Sequence, residues 1–257
     1  MSVEIISAAA AAQADGVRLV VVPAIPSPWT EAAKGLLHLR GIPWQGVYLD
    51  RNDPAVAAFS GTHNAPVLVY NREAGISGWF DILQFCENHG TGEPLLPADE
   101  DARAAVLDWC RLLADPGGLG WYRRLQAVAL GMAQQAGGFP QPVAQYLAAK
   151  YGYDEQQAGG YEGEVISRLA QLAQQLRQQQ ARGVPYLCGD SLSAADIYSA
   201  CFLAYLKPLD ESLCAMNPVV RQVFESLTPG VAAALDDVIV GHRDYIYQHY
   251  LQLPVQL

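Results

Sequence analysis

The sequence predicts a small α/β domain followed by an all-α bundle, and three observations carry that prediction. Compact, β-branched runs occur only in the first ninety residues, at 18–22 (RLVVV), 45–49 (QGVYL) and 66–70 (PVLVY). Two stretches with an apolar helical face alternate with them, 28–40 and 79–89. After the turn-rich segment 90–98 (GTGEPLLPA), only helical periodicity remains.

Taken in order, RLVVV reads as a buried strand, and 28–40 as a helix whose inner face carries Ala33, Leu36 and Leu37. Gly41 ends that helix where a left-handed residue is cheap. Strands at 45–49 and 66–70 follow, separated by a loop or short helix. Residues 71–75 supply a turn, after which Ile76-Ser77 can pair back as a fourth strand. The helix at 79–89 presents Ile82, Leu83 and Phe85 to the sheet. A parallel pair joined by a helix, a hairpin and a covering helix make an α/β sandwich. Helices are then expected at 102–113, 125–135, 143–150, 164–180, 193–206, 218–227 and 231–250. The domains divide as 17–90 and 99–257, with 1–16 an N-terminal extension.

Composition removes several functions. Sixteen basic residues against twenty-six acidic ones give a net charge of -10, with no basic stripe for nucleic acid or an anionic membrane. No segment has the length and apolarity of a membrane span, and the expected location is cytoplasmic. The five cysteines form no CxxC and the five histidines no HExxH, so no metal site is expected. No serine sits in a GxSxG, which argues against an α/β-hydrolase.

Three segments carry a resemblance: SPWTEAAKGLLHLRGI at 27–42, Asn64-Ala65-Pro66-Val67-Leu68, and YLCGDSLSAADIYSACFLAYL at 186–206. Together they resemble the cytosolic glutathione transferase superfamily, in a serine- or cysteine-type class. The resemblance implies a thioredoxin-like N-terminal domain that binds glutathione as co-substrate, an all-helical C-terminal domain, a homodimer and a detoxifying role. It puts Ser27 at the position that contacts the glutathione sulfur. A hydroxyl at a helix N-terminus can donate to a thiolate and lower the thiol pKa. From the residues alone, Ser27 is a helix cap with Pro28 at the first helical position; a cap and a thiol contact use the same geometry. Pro66 matches a proline held in cis, which would leave the main chain of Ala65 free to pair with the peptide. Gly78-Trp79 stand where the family carries an acidic residue or glutamine followed by serine. The hydroxyl that would hold the γ-glutamyl carboxylate is therefore missing. Trp79 either packs or meets ligand. A second substrate would lie against Trp29, Trp121 and Tyr122, with Trp109, Arg123 and Arg124 nearby. Aromatics usually pack and arginines usually face water. Ser193 and Asp196 form a capping box, assigned to folding. The function implied is a glutathione S-transferase-like enzyme whose thiolate attacks or isomerises a small hydrophobic electrophile. The alternative is a non-catalytic or weakly binding protein using the same fold as an interaction module.

Overall fold

A computed structural model describes residues 3–256. The first layer is a four-stranded sheet built from β1 (Ile5–Ile6), β2 (Val17–Val21), β3 (Trp44–Tyr48) and β4 (Val67–Tyr70), in the order β1-β3-β2-β4. β3 runs parallel to β1 and β2, and β4 runs antiparallel to β2. Alternation along β2 divides its side chains between two cores. Val17, Leu19 and Val21 join Leu36 and Leu37 of α2 (Pro28–Leu39) and Ile82 and Leu83 of α4 (Trp79–His89). Val20 faces the opposite core, with α1 (Ala8–Ala11) and α3 (Pro54–Ser60). Arg18 is buried on that strand, its guanidinium donating to the Gly16 and Asn71 carbonyls and lying 5.6 Å from the Phe59 ring centre.

Two features here differ from the sequence reading. The expected fourth strand at 76–77 is a single antiparallel bridge between Ile76 and Leu68, closed by two 2.8 Å hydrogen bonds. Gly75 and Gly78 flank it and give a longer strand little to propagate through. Residues 3–16, which carry no assignment from sequence, supply β1 and α1, with the Ser7 hydroxyl accepting from Ala10 N–H at 3.2 Å.

The second layer comprises α5 (Glu100–Ala114), α6 (Leu119–Met132), α7 (Gln141–Tyr151), α8 (Tyr161–Ala181), α9 (Ala194–Leu203), α10 (Pro218–Glu225), α11 (Pro229–Ala234) and α12 (Asp237–Tyr250). All ten residues of α9 are buried, because α2, α5 and α12 pack around it. Close approach to α9 requires glycine at two places. A Cβ on Gly35 would stand 2.9 Å from Ile197 Cγ2, and one on Gly120 would stand 2.3 Å from Phe202 Cε1. The second contact explains why α6 begins at Leu119 rather than at 125. The first turn of α6 carries Gly120, Trp121 and Tyr122, whose own helix propensity is low, so tertiary packing sets that start. The expected helix at 231–250 is two helices, because Asp236 caps α12 by accepting from Val238 N–H at 3.0 Å. Among the described residues no helix is long and apolar enough to cross a membrane, and no group of three or more His, Cys, Asp or Glu could hold a metal.

Asp196, at the head of α9, is wholly buried. One carboxylate oxygen accepts from Leu187 N–H at 2.7 Å; the other accepts from Ser193 N–H at 2.9 Å and Ser193 Oγ at 3.0 Å. His242 of α12 lies 3.7 Å away and uses Nδ1 on the Pro185 carbonyl at 3.2 Å. Burial raises the Asp196 carboxyl to about 6 against the bonds it accepts, and burial lowers His242 to about 4. The raised Asp196 favours the fold at low pH, and this contribution fades as pH climbs through about 6. The lowered His242 acts oppositely, favouring the fold above its ordinary value and losing that as pH falls toward 4. The two dependences offset one another. In His242→Phe only the aspartate's remains. Stability measured by urea unfolding should then fall between pH 4 and pH 6.5 by up to about 3 kcal/mol, at about 1.4 kcal/mol per pKa unit. A profile that rises over that range would refute this account of the pair.

Candidate functional site

Three chain segments meet at one end of the sheet. β2 leaves the sheet at Val21 and leads through residues 22–27 into α2. β4, antiparallel to β2 with Val67 opposite Val20, enters at the same end from Ala65-Pro66. The Ile76–Leu68 bridge is also antiparallel, so Gly78 and the start of α4 return beside Pro66.

Ser27 is the residue before α2, half-buried and in extended conformation. Its carbonyl accepts from Glu31 N–H at 2.8 Å, but its hydroxyl makes no bond to the helix amides. The side-chain cap expected from sequence is therefore not formed, and the hydroxyl is unspent. Pro28 brings no N–H, so the next amides, of Trp29 and Thr30, have no partner one turn back. Unsatisfied amides and a free hydroxyl at a helix N-terminus favour a negative charge. The loop before Ser27 is fixed by Asn217 N–H donating to the Ala24 carbonyl at 2.9 Å, where Ala24 takes φ 56°.

The Ala65–Pro66 peptide bond is cis. Pro66 is buried, Ala65 is half-buried, and the main chain of Ala65 pairs with no described residue. It presents one N–H and one C=O at the edge where β4 begins, in the manner of an open strand position. Gly78 is the residue before α4, with Asp81 folded against it: a Cβ on Gly78 would lie 2.7 Å from Asp81 Oδ2.

Trp79 is committed to packing. Its indole N–H donates to Asp115 Oδ1 at 2.5 Å, its carbonyl accepts from the Tyr198 hydroxyl at 3.0 Å, and its ring meets Tyr198 edge-on at 5.5 Å. It links α4 to the end of α5 and to α9. Trp79→Phe should retain the ring contact and lose the hydrogen bond. The expected cost is about 1–2 kcal/mol by urea unfolding; no change in midpoint would refute the link.

The residues expected to line a second-substrate space divide into two groups. Trp29 donates to the Ala114 carbonyl at 3.0 Å, meets Phe202 at 4.9 Å and lies 6.3 Å from Tyr151. Trp121 is 4.7 Å from the same Tyr151. Trp29 and Trp121 therefore share a neighbour beside the head of α2. Tyr122 points elsewhere, under Arg168 at 4.5 Å and toward Tyr161. Trp109 is half-buried on α5 against the main core. Arg123 and Arg124, expected at the surface, are both buried. Arg123 is structural, donating to Gln126 Oε1 at 3.2 Å and to the Val223 carbonyl at 3.0 Å. Arg124 lies among the rings of Trp29, Phe139, Tyr151 and Tyr205, with its Nε buried and unpartnered. Tyr151, which organises this group, was not among the expected residues; its aromatic ring at a helix end carries no sequence signal of its own.

A small sheet whose cis-proline edge faces a helix N-terminus, sealed by an all-α layer, defines the glutathione transferase class of fold. The family model for the glutathione S-transferase C-terminal domain matches residues 142–228. A glutathione S-transferase from Methylobacillus flagellatus KT, solved with glutathione bound, superposes with a TM-score of 0.56 at 18% identity, covering 88% of this chain and 98% of that one. A glutathione S-transferase from Methylobacterium radiotolerans JCM 2831, in complex with glutathione sulfonate, gives 0.52 at 20% identity, covering 85% and 94%. A maleylacetoacetate isomerase from Methylobacterium extorquens AM1, with malonate and glutathione bound, gives 0.51 at 19% identity, covering 88% and 95%. No curated protein sequence matches the chain. The chain therefore has the glutathione transferase fold, and its residues 142–228 are similar to the C-terminal domain of that family.

Proposed function

We propose that the chain binds glutathione across the cis-proline edge and activates its thiol at Ser27 for attack on, or isomerisation of, a small electrophile. The observation that carries this is the Ser27 hydroxyl, which caps no amide of α2, at the sheet end where the main chain of Ala65 pairs with no described residue. Ala65 N–H and C=O pair with the cysteinyl main chain of the peptide as one further antiparallel strand. The thiol then lies toward α2, where the Ser27 hydroxyl and the helix amides lower its pKa. Its proton passes to solvent, and the thiolate forms the C–S bond either as a leaving group such as halide departs with its electron pair, or as an activated double bond opens and its carbanion is protonated from solvent; in an isomerisation the thiolate is later expelled. Trp29 and Trp121 offer the electrophile an apolar wall. The α4 amides beyond Gly78 receive the γ-glutamyl carboxylate without a side-chain hydroxyl. The same reading implies a homodimer, which sedimentation would test.

A second reading, a binding module without turnover, is favoured by Gly78-Trp79. Trp79 is occupied by Asp115 and Tyr198, and glycine supplies no hydroxyl. Titration calorimetry with glutathione, followed by a turnover assay with a chromogenic aryl halide, separates the two. Binding with turnover supports the enzyme, and binding without turnover supports the module. No binding removes both.

A further inference from the structure

We propose that Arg51, Arg124 and Lys150 form an anion site that takes the carboxylate of a small aromatic acid, beside the head of the helix that carries Ser27. The three cations come from three parts of the fold. Arg51 follows β3, at the sheet end where Ser27 and Ala65 lie. Arg124 is in the middle of α6, and Lys150 is in the last turn of α7. All three lie against rings of α7. Arg51 lies 4.2 Å from the ring centre of Tyr146, and Lys150 lies 5.6 Å from that of Tyr151. Arg124 lies 5.6 Å from the same Tyr151 ring and 6.0 Å from Trp29, two residues beyond Ser27.

None of the three is in an ion pair with a carboxylate among the described residues. The acids flanking Arg51 are engaged with main chain: Asp50 accepts from Asn52 N–H and Asp53 from Ala55 N–H. Arg124 is the unusual member. It is only 8% exposed, its Nε has no acceptor, and its surroundings are π faces and the Tyr151 hydroxyl. Rings at about 6 Å or less stabilise a desolvated cation but do not neutralise it. A buried charge without a counter-charge is costly. The electrostatic consequence is visible on Lys150. Although the residue is exposed overall, its ammonium is lowered to about 8, by desolvation first and then by Arg124 and Arg51. A bound anion relieves this mutual repulsion. Carboxylate is favoured over a bulkier anion because a planar guanidinium pairs with it in a fork. The aromatic body follows from Trp29 and Trp121, which both face Tyr151.

This deepens the proposed function by naming the second ligand's class, and it rests on that reading only for the ligand's being a co-substrate. The test is calorimetric titration of the full chain with cinnamate and with neutral cinnamamide, each with and without glutathione, and with glutathione alone. Cinnamate should bind about tenfold or more tightly than the amide. Arg51→Gln and Lys150→Gln alter exposed residues and should each weaken cinnamate severalfold while leaving cinnamamide and the melting temperature unchanged. Arg124→Gln should weaken cinnamate about 10- to 100-fold, and Arg124→Lys less. Equal affinity for acid and amide overturns the proposal, as does indifference of cinnamate to the Arg51 and Lys150 variants. Variants that weaken glutathione but not cinnamate also overturn it, since the anion held would then be the peptide's own carboxylate. If glutathione does not bind while the preference for acid persists, the proposed function fails and the anion site stands. If glutathione binds and that preference is absent, the anion site fails and glutathione binding stands.

Discussion

Ser27→Ala should lower glutathione-dependent turnover about 100-fold at neutral pH while leaving stability within about 0.5 kcal/mol. Both halves follow from the same geometry. An N-cap serine ordinarily contributes about 1 kcal/mol through the bond its oxygen accepts from the helix amides. Here that bond is not made, so alanine loses little of the fold. What it loses is a hydroxyl donor where thiolate charge develops. The pH-rate profile gives the sharper reading. Ser27 favours the charged thiolate, so its removal should move the acidic limb to higher pH. The deficit should be largest below the thiol's ordinary pKa and should shrink as hydroxide ionises the thiol unaided. A variant that loses rate equally at every pH, or unfolds earlier in urea, would assign Ser27 to structure.

The second large effect concerns stability. Asp196→Ala should destabilise the protein by about 3–5 kcal/mol, because the buried N–H groups of Leu187 and Ser193 and the Ser193 hydroxyl lose their acceptor together. Each unsatisfied buried group costs about 1–3 kcal/mol. Asp196→Asn, retaining one acceptor oxygen, should fall between alanine and the natural residue. α9 packs on α2, so the loss should reach the first layer, and fluorescence of Trp29 and Trp79 should report the same urea midpoint as circular dichroism. Separate midpoints would show that the two layers unfold independently. A loss below 1 kcal/mol would mean that water replaces the carboxylate.

The order of the fold was legible because its signals are local. RLVVV is too β-branched and too short to be anything but a buried strand. Asn64-Ala65-Pro66 and LSAAD at 192–196 are short motifs whose chemistry lies within a few residues. What was not legible depends on partners distant in sequence. Arg124 reads as a surface cation until Tyr205 and Trp29 are brought against it. Trp79 reads equally as ligand platform or as core until Asp115 and Tyr198 claim its two polar groups. Adjacent Trp121 and Tyr122 read as one patch, yet helical geometry sends them to different neighbours. The start at Leu119 is hidden in the sequence because Gly120 opposes helix formation locally, and its close approach to Phe202 of α9 is a contact distant in sequence.

The chain's last described residues fold back on the beginning. Lys34 of α2 donates to the Gln256 carbonyl at 2.7 Å, while the Gln256 side chain accepts from Val3 N–H at 2.8 Å and donates to the Val3 carbonyl at 3.2 Å. During synthesis, β1 and α2 therefore emerge well before the segment that finally joins them. The α/β layer has to wait, with that seam open, until Gln256 has left the ribosome. Any early compaction of this layer is provisional, because its closing contact comes from a segment made long after α2.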